Sequence, residues 1–302
     1  MLVDAASMYF RAFHGVPSSV TSPDGRPVNA VRGYLDMSST LIARRRPSRY
    51  VACLDADWRP AFRVALVPSY KAHRVAPAGG EDVPDDLVPQ VPILLDVLAA
   101  LGLCAIGAAG FEADDVIATL ADREDRAGRP VEVVTGDRDL FGVVSANVTV
   151  LYTGRGVAKL EVVGPAEVTD KYGIPARLYP DFAVLRGDPS DGLPGVPGVG
   201  ERTAAALVNR FGGIAAILAA AGDDDADGFP AGSRAKVLAA AAYLKVAPGV
   251  VNGRVDVPLP DRLDDALPAE PADGERLLEL ADRWGLERPI ERMLQALQTA
   301  RG

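Results

Sequence analysis

The chain is short of the residues that build thiolate, imidazole or disulfide chemistry: two cysteines and two histidines in 302 residues. His14 and His73 are too few and too far apart for a histidine-based metal site. Cys53 and Cys104 each lie inside an apolar, strand-like run, which makes them reduced core residues, and no zinc-ligand spacing exists. No apolar run approaches the length of a membrane span. An acid already at Asp4 comes too early for a signal peptide, so the chain is expected in the cytoplasm with no membrane partner. No internal repeat stands out, and no serine or cysteine is arranged as a covalent nucleophile. Lysine is scarce beside arginine, a bias without chemical content.

What remains is the composition of a globular protein, 48% hydrophobic and 24% charged, long enough for one large domain or two. The net charge of −9 argues against a simple nucleic-acid coat protein. If about nine acids gather around metal ions, the remainder is close to neutral and arginine is free to line another surface. A nucleic-acid substrate is therefore compatible with the charge.

The acids are concentrated most tightly in Gly110-Phe111-Glu112-Ala113-Asp114-Asp115-Val116-Ile117. Glu112 and Asp115 are three apart, so on a helix they share a face and point at one object. Acids in a first helical turn also cap it, which is the plainer account of this stretch taken alone.

The rest of the chain delivers matching carboxylates. Leu2-Val3-Asp4 and Tyr50-Val51-Ala52-Cys53-Leu54-Asp55 are apolar runs that end in an acid, separated by a helical stretch over 28–45. Val131 to Thr135 leads into Gly136-Asp137-Arg138-Asp139. A helix over 88–101 and a strand at 103–106 precede the acidic stretch, and 148–152 with 158–163 form a hairpin. This β-α-β order predicts a parallel sheet. Residues 58–86 are polar, with a basic knot at Tyr70-Lys71-Ala72-His73-Arg74, and read as a partly helical excursion or an ordinary solvated loop. Past Gly164-Pro165 the chain turns helical, which sets the expected domains at 1–165 and 166–302.

In an open parallel sheet, ligands bind at the carboxyl ends of the strands, where Asp4, Asp55 and Asp137 sit and where Glu112, Asp114 and Asp115 arrive by a short loop. So many carboxylates stay ionised together only with cations between them. An all-oxygen set suits Mg²⁺ or Mn²⁺, with Ca²⁺ compatible by ligand type but lacking an EF-hand loop. Two such ions suit phosphoryl chemistry. Farther on, Asp188 and Asp191 are i,i+3 and able to join the cluster. Gly195 to Gly200 makes a tight turn ahead of a helix whose first N–H groups suit a backbone phosphate, or is a plain αα turn.

Taken in order, Leu-Val-Asp4, Leu-Asp55, Tyr70-Lys71-Ala-His-Arg74, Phe-Glu112-Ala-Asp114-Asp115, Thr-Gly-Asp137-Arg-Asp139, Gly-Asp188-Pro-Ser-Asp191 and Gly-Val-Pro-Gly198-Val-Gly200-Glu-Arg-Thr-Ala resemble the bacterial 5′-nuclease family. These are relatives of flap endonucleases and of the 5′-nuclease domain of DNA polymerase I. The resemblance covers residues 2 to about 210; the remainder matches only in being helical. It implies an α/β fold with a PIN-like or Rossmann-like, mainly parallel sheet, a helical clamp over 58–90, and a helix-three-turn-helix over 180–212. It implies two or more divalent ions, the first among Glu112, Asp114, Asp115, Asp137 and Asp139. The second would lie between that last pair and Asp188 with Asp191, with Asp4 and Asp55 close by through water. Lys71 and Arg74 would approach the scissile phosphate, and Tyr70 would stack on the terminal base. Arg11, Gly195, Gly198, Gly200, Arg202 and Thr203 would contact DNA, with K⁺ held by carbonyls of the glycine turn. The implied partner is DNA with a 5′ end, flap, nick or gap, including an RNA-primed strand, handled by a stand-alone monomer at the nucleoid.

Two positions depart from the family: Gly192 stands where Asn is frequent and Arg202 where Lys is frequent. Both bear on duplex or cation binding more than on chemistry. A PIN-like RNase and a non-catalytic junction binder are the alternatives. The module around Asp188 and Asp191 disfavours the first, and the full set of acids disfavours the second.

Overall fold

The computed structural model describes residues 1–301, so the last position of the expected 166–302 module lies outside the described residues. Its centre is a six-stranded sheet ordered β3-β2-β1-β4-β5-β6. The strands are β1 (Leu2–Asp4), β2 (Val51–Cys53), β3 (Cys104–Ile106), β4 (Val131–Thr135), β5 (Val148–Tyr152) and β6 (Glu161–Val163). All neighbours are parallel except β5 and β6, the expected hairpin. In β1, β2 and β4 Val3, Ala52, Val133 and Val134 are fully buried, as a sheet covered on both faces requires.

One face is covered by α1 (Ala5–Gly15), α2 (Asn29–Arg45) and α4 (Gln90–Leu101), whose Met8, Leu35, Ile42 and Leu98 pack on Val3, Ala52 and Val134. The other face carries α5 (Ala113–Arg126), with Val116 and Ile117 against Val51 and Val133. Between β2 and α4 the clamp segment forms only the short α3 (Ala61–Leu66) and a single 3-10 turn, Ala72–Arg74.

The domain expectation needs correction at both ends. Helix α6 (Pro165–Tyr172) packs on β6, so the α/β core runs past residue 165. The helices α7 (Tyr179–Arg186), α8 (Glu201–Phe211), α9 (Ile214–Ala221), α10 (Ser233–Ala239), α11 (Ala241–Val246) and α12 (Pro248–Val251) continue the core on the α5 side. Then α13 (Gly274–Trp284) and α14 (Glu287–Arg301) return to the opposite face. Their Leu280, Trp284, Met293 and Leu297 bury against α2 and α4, because an amphipathic helix buries its apolar stripe wherever a matching face is open. The strap between the two parts crosses the core, with Tyr50 N–H donating to Asp265 O and Asp273 N–H to Ala100 O. No single helix among the described residues is long and apolar enough to cross a membrane.

Candidate active site

The acids reach one sheet edge because each sits where its strand ends. Asp4 closes β1 and caps α1: its Oδ1 accepts from Ser7 N–H at 2.9 Å and its Oδ2 from the Thr135 hydroxyl at 2.8 Å. Asp55, past β2, accepts from Ala113 N–H at 2.7 Å, which ties it to the start of α5. Asp137, past β4, accepts from Asp139 N–H at 2.9 Å, and Asp188 from Ser190 N–H at 2.8 Å. A cleft of about 550 Å³ is lined by Asp4, Asp55, Glu112, Asp114, Asp137 and Asp188, together with Lys71 and Arg74. Asp139 and Asp191 open onto an adjoining cavity of about 350 Å³, whose wall also includes Glu112 and Asp114.

Crowding marks these carboxyls. Burial, then the Asp55 charge, pushes Asp4 up to about 7. Burial with the charges of Asp137, Asp4 and Glu112 raises Asp114 well above the usual range. Burial and the charges of Asp137, Asp191 and Asp188 do the same to Asp139. An all-carboxylate wall whose members raise one another fits hard divalent cations, which relieve that repulsion. As the side chains lie, no three of them among the described residues close on one point.

Asp115 departs from its expected role. It is fully buried, and each of its oxygens accepts twice. Arg63 Nη2 (2.6 Å) and Arg254 N–H (2.9 Å) bond Oδ1, while Arg63 Nη1 (2.7 Å) and Glu112 N–H (3.1 Å) bond Oδ2. No oxygen is left for the cleft. The object that Glu112 and Asp115 both point at is Arg63, which also donates to Glu112 Oε2 at 2.7 Å and to Val250 O at 2.8 Å. The helix-start account of this stretch also holds, through the Glu112 N–H to Asp115 bond.

Arg63, only 2% exposed, is the site residue that sequence reasoning missed. Its signal was faint: Arg59-Pro60-Ala61-Phe62-Arg63 sits in a polar segment of weak periodicity. The burial penalty on its charge is outweighed by Asp115 and Glu112, which hold the guanidinium firmly protonated.

The clamp folds over the acids. Lys71 Nζ bonds Glu112 Oε1, and Arg74 Nη2 lies 3.0 Å from Asp191 Oδ1 and 2.8 Å from Ser190 O. Burial raises Glu112 to about 6, against the pull of Lys71 and Arg63. Tyr70 does not offer a face for stacking: its ring is buried with Val67, Leu193 and Val250, and its hydroxyl donates to Glu112 Oε2 at 2.8 Å. The Gly192 departure has a steric reason, since a Cβ there would lie 2.2 Å from Ser69 O. With φ at +71° and no side chain, Gly192 lets Ser69 Oγ donate to its carbonyl at 2.8 Å and seats the clamp.

The expected DNA contacts flank the acid cleft without lining it. Arg11 is half-buried on α1 with its Nε unpartnered, outside the cleft lining. Gly195 (φ +65°) packs its Cα against the Arg186 carbonyl, where a Cβ would come within 2.6 Å. Gly198 (φ +74°) and Gly200 are exposed, Gly200 caps α8, Arg202 is exposed and Thr203 half-buried. Lys236 Nζ, from α10, donates to Gly198 O at 2.9 Å.

Residues 1–173 match the 5'-3' exonuclease N-terminal resolvase-like domain, and residues 174–275 the 5'-3' exonuclease C-terminal SAM fold. A 5'-3' exonuclease of Mycobacterium tuberculosis is 54% identical over 316 residues, covering 100% of this chain and 98% of that one. DNA polymerase I of Mycobacterium bovis is 44% identical over 219 residues, 72% of this chain and 24% of the polymerase. In fold the chain is similar to the T5 D15 protein co-crystallised with metal ions (TM-score 0.63, 13% identity, 100% and 99% covered). It is likewise similar to the catalytic core of Rad2 in complex with DNA substrate (TM-score 0.63, 17% identity, 99% and 92% covered). With both domain families matched along its length and the acids gathered at one sheet edge, this chain belongs to the 5'-3' exonuclease family and is a nuclease of the hydrolase class.

Proposed function

We propose that this nuclease hydrolyses DNA phosphodiesters at 5′ ends, flaps, nicks and gaps, in the replication and repair steps that trim a displaced 5′ strand. The observation that carries this reading is the meeting, in one cleft, of carboxylates from three strand ends and two loops with the clamp cations Lys71 and Arg74. Glu112, Asp114, Asp137 and Asp139 would hold the first divalent ion, Mg²⁺ or Mn²⁺, and Asp188 and Asp191 with the Asp137/Asp139 pair the second, Asp4 and Asp55 acting from beside them. When bound, the ions supply an activated water and offset the charge on the attacked phosphate and the leaving oxygen. Lys71 and Arg74 draw the scissile phosphate toward the acids, and the clamp admits the 5′ strand, DNA or an RNA primer. The exposed glycine turn grips the duplex without reading sequence. K⁺, expected at that turn, would add little there, because the Lys236 ammonium already supplies a cation to the Gly198 carbonyl. We further propose a monomer working in the cytoplasm.

The test is a 5′-flap duplex labelled at each end in turn, with Mg²⁺ or Mn²⁺ against an EDTA control. Metal-dependent cutting near the junction or stepwise from the 5′ end supports the reading. Asp139→Ala and Asp188→Ala should lose cleavage and keep DNA binding; near-normal rates for both in saturating Mn²⁺ would defeat the assignment. Tight binding by the unaltered protein with no cutting would favour a junction binder.

A further inference from the structure

The cleft carries a second pair of cations, across from the clamp. The clamp follows β2, whereas Arg138 follows β4 and Tyr152 closes β5, so β1 lies between the two groups along the sheet edge. Arg138 is exposed in the cleft wall and has no ion-pair partner among the described residues. Its Nε donates to the Tyr152 hydroxyl at 3.3 Å, and its guanidinium lies 5.8 Å from that ring. Arg186, at the end of α7, lines the same cleft with its guanidinium 5.4 Å from the Phe182 ring. It is half-buried and its Nε donates to Gly187 O at 3.2 Å, which leaves the two Nη groups for a ligand. Its closest carboxylate oxygens, on Glu201 and Asp188, stand at 3.6 and 3.9 Å, beyond hydrogen-bond reach.

One aromatic bed underlies both groups. Tyr152 meets Phe141 at 5.4 Å, Phe141 meets Tyr179 at 5.4 Å, and Tyr179 meets Phe182 at 5.8 Å between ring centroids. A guanidinium laid against a ring is oriented while most of its N–H edge stays free, and that edge matches a phosphate bidentately. Arg186 also faces Glu201 in the first turn of α8, which puts it between the acids and the helix that follows the glycine turn.

We propose that Arg138 and Arg186 hold a backbone phosphate of the strand retained after cleavage, on the 3′ side of the scissile bond. This rests on the proposed assignment of the clamp to the 5′ strand and of the glycine turn to the duplex. It gives the cleft two cationic jaws, one for the departing segment and one for the segment that keeps the new 5′-phosphate.

The test uses flap substrates in which one linkage at a time is made an uncharged methylphosphonate, cut under single-turnover conditions by the unaltered protein and by Arg138→Ala and Arg186→Gln. Removing a charge-assisted contact of this kind should slow Arg138→Ala roughly tenfold on the all-phosphate substrate. The unaltered protein should lose a similar factor when a linkage just 3′ of the cut is neutralised, while Arg138→Ala should be nearly indifferent there. Arg138→Lys should recover part of the rate. An equal penalty in variant and unaltered protein at every linkage, or coupling only at linkages 5′ of the cut, overturns the assignment. Arg138 is exposed and has no ion pair among the described residues, only an exposed hydrogen bond to Tyr152, so its removal leaves folding intact, and Arg186→Gln repeats the measurement from the other side of the bed. If the proposed function itself fails, the unaltered protein does not cut the unmodified flap, which is read before any variant.

Discussion

The Lys71 ammonium is bonded to the Glu112 carboxylate, so the proposed phosphate-binding cation rests on an acid of the proposed metal cluster. Burial works against this ammonium, but the Glu112 and Asp191 charges outweigh it and hold it protonated. Metal and substrate must both compete with this ion pair. Lys71→Ala should therefore slow single-turnover cleavage by roughly 10²–10³-fold, the usual loss for one electrostatic donor, while the divalent ion binds at lower concentration. A metal titration of the single-turnover rate checks both halves, and an unchanged maximal rate removes Lys71 from the site.

Arg63 is the anchor beneath that pair. Taking away one partner of a buried ion network leaves the others uncompensated and costs about 3–5 kcal/mol. Arg63→Met should destabilise the fold by that amount in a denaturant titration. Arg63→Lys should recover only part of it, because an ammonium does not reproduce the fork held by Glu112 and Asp115. A stability within 1 kcal/mol of the unaltered protein for Arg63→Met, an order-of-magnitude threshold for a surface change, would show that the network contributes little.

Gly192→Asn restores the residue frequent in the family but inserts a Cβ 2.2 Å from Ser69 O. Asn tolerates the left-handed backbone, so the conflict is with the clamp and not with φ. The expected outcome is slower cleavage with duplex affinity retained, together with faster proteolysis within 61–74. Unchanged cleavage would mean that the clamp yields without loss.

These three positions mark where the sequence was readable and where it was not. The sheet and its acids were legible because each apolar run ends in a carboxylate, and strand ends in a parallel sheet share one edge. The identity of the object shared by Glu112 and Asp115 was not, because Arg63 lies 49 and 52 residues earlier in a segment whose periodicity is too weak to announce its burial. The C-terminal part was legible only as helical, and nothing local says that Trp284 and Met293 of α13 and α14 will close the far side of the core. Tertiary choice of partner is what an amphipathic pattern leaves open.

The crowded acids give the metal-free protein a defined pH response. Asp4 is pushed up to about 7 and Glu112 to about 6, whereas carboxyls in the unfolded chain titrate near pH 4. Between pH 4 and 7 the folded state holds protons that the unfolded chain has lost, so these groups make stability fall as pH rises. In EDTA the protein should melt lower at pH 8 than at pH 5.5. Added Mg²⁺ or Mn²⁺ should raise the pH 8 melting temperature more than the pH 5.5 one, since cations favour the ionised carboxylates. Melting that climbs from pH 5.5 to pH 8 in EDTA would contradict the crowding.

Lys236 bears on the cation at the glycine turn. Its ammonium donates to Gly198 O at 2.9 Å and stands 3.0 Å from where a Cβ of residue 198 would lie, so a protein cation already faces one carbonyl of the turn. Duplex affinity should accordingly change less than about twofold when K⁺ replaces Na⁺ at constant ionic strength, a difference of roughly 0.4 kcal/mol. Lys236→Met removes that charge and should weaken binding and lower the salt slope by about one unit if the ammonium also meets a phosphate. It should also expose the carbonyl, so that K⁺ now strengthens binding relative to Na⁺. Fluorescence anisotropy of a labelled nicked duplex, measured in both salts for both proteins, decides the matter. A strong K⁺ preference in the unaltered protein would mean that the inorganic ion, not Lys236, is the cation the turn is built to hold.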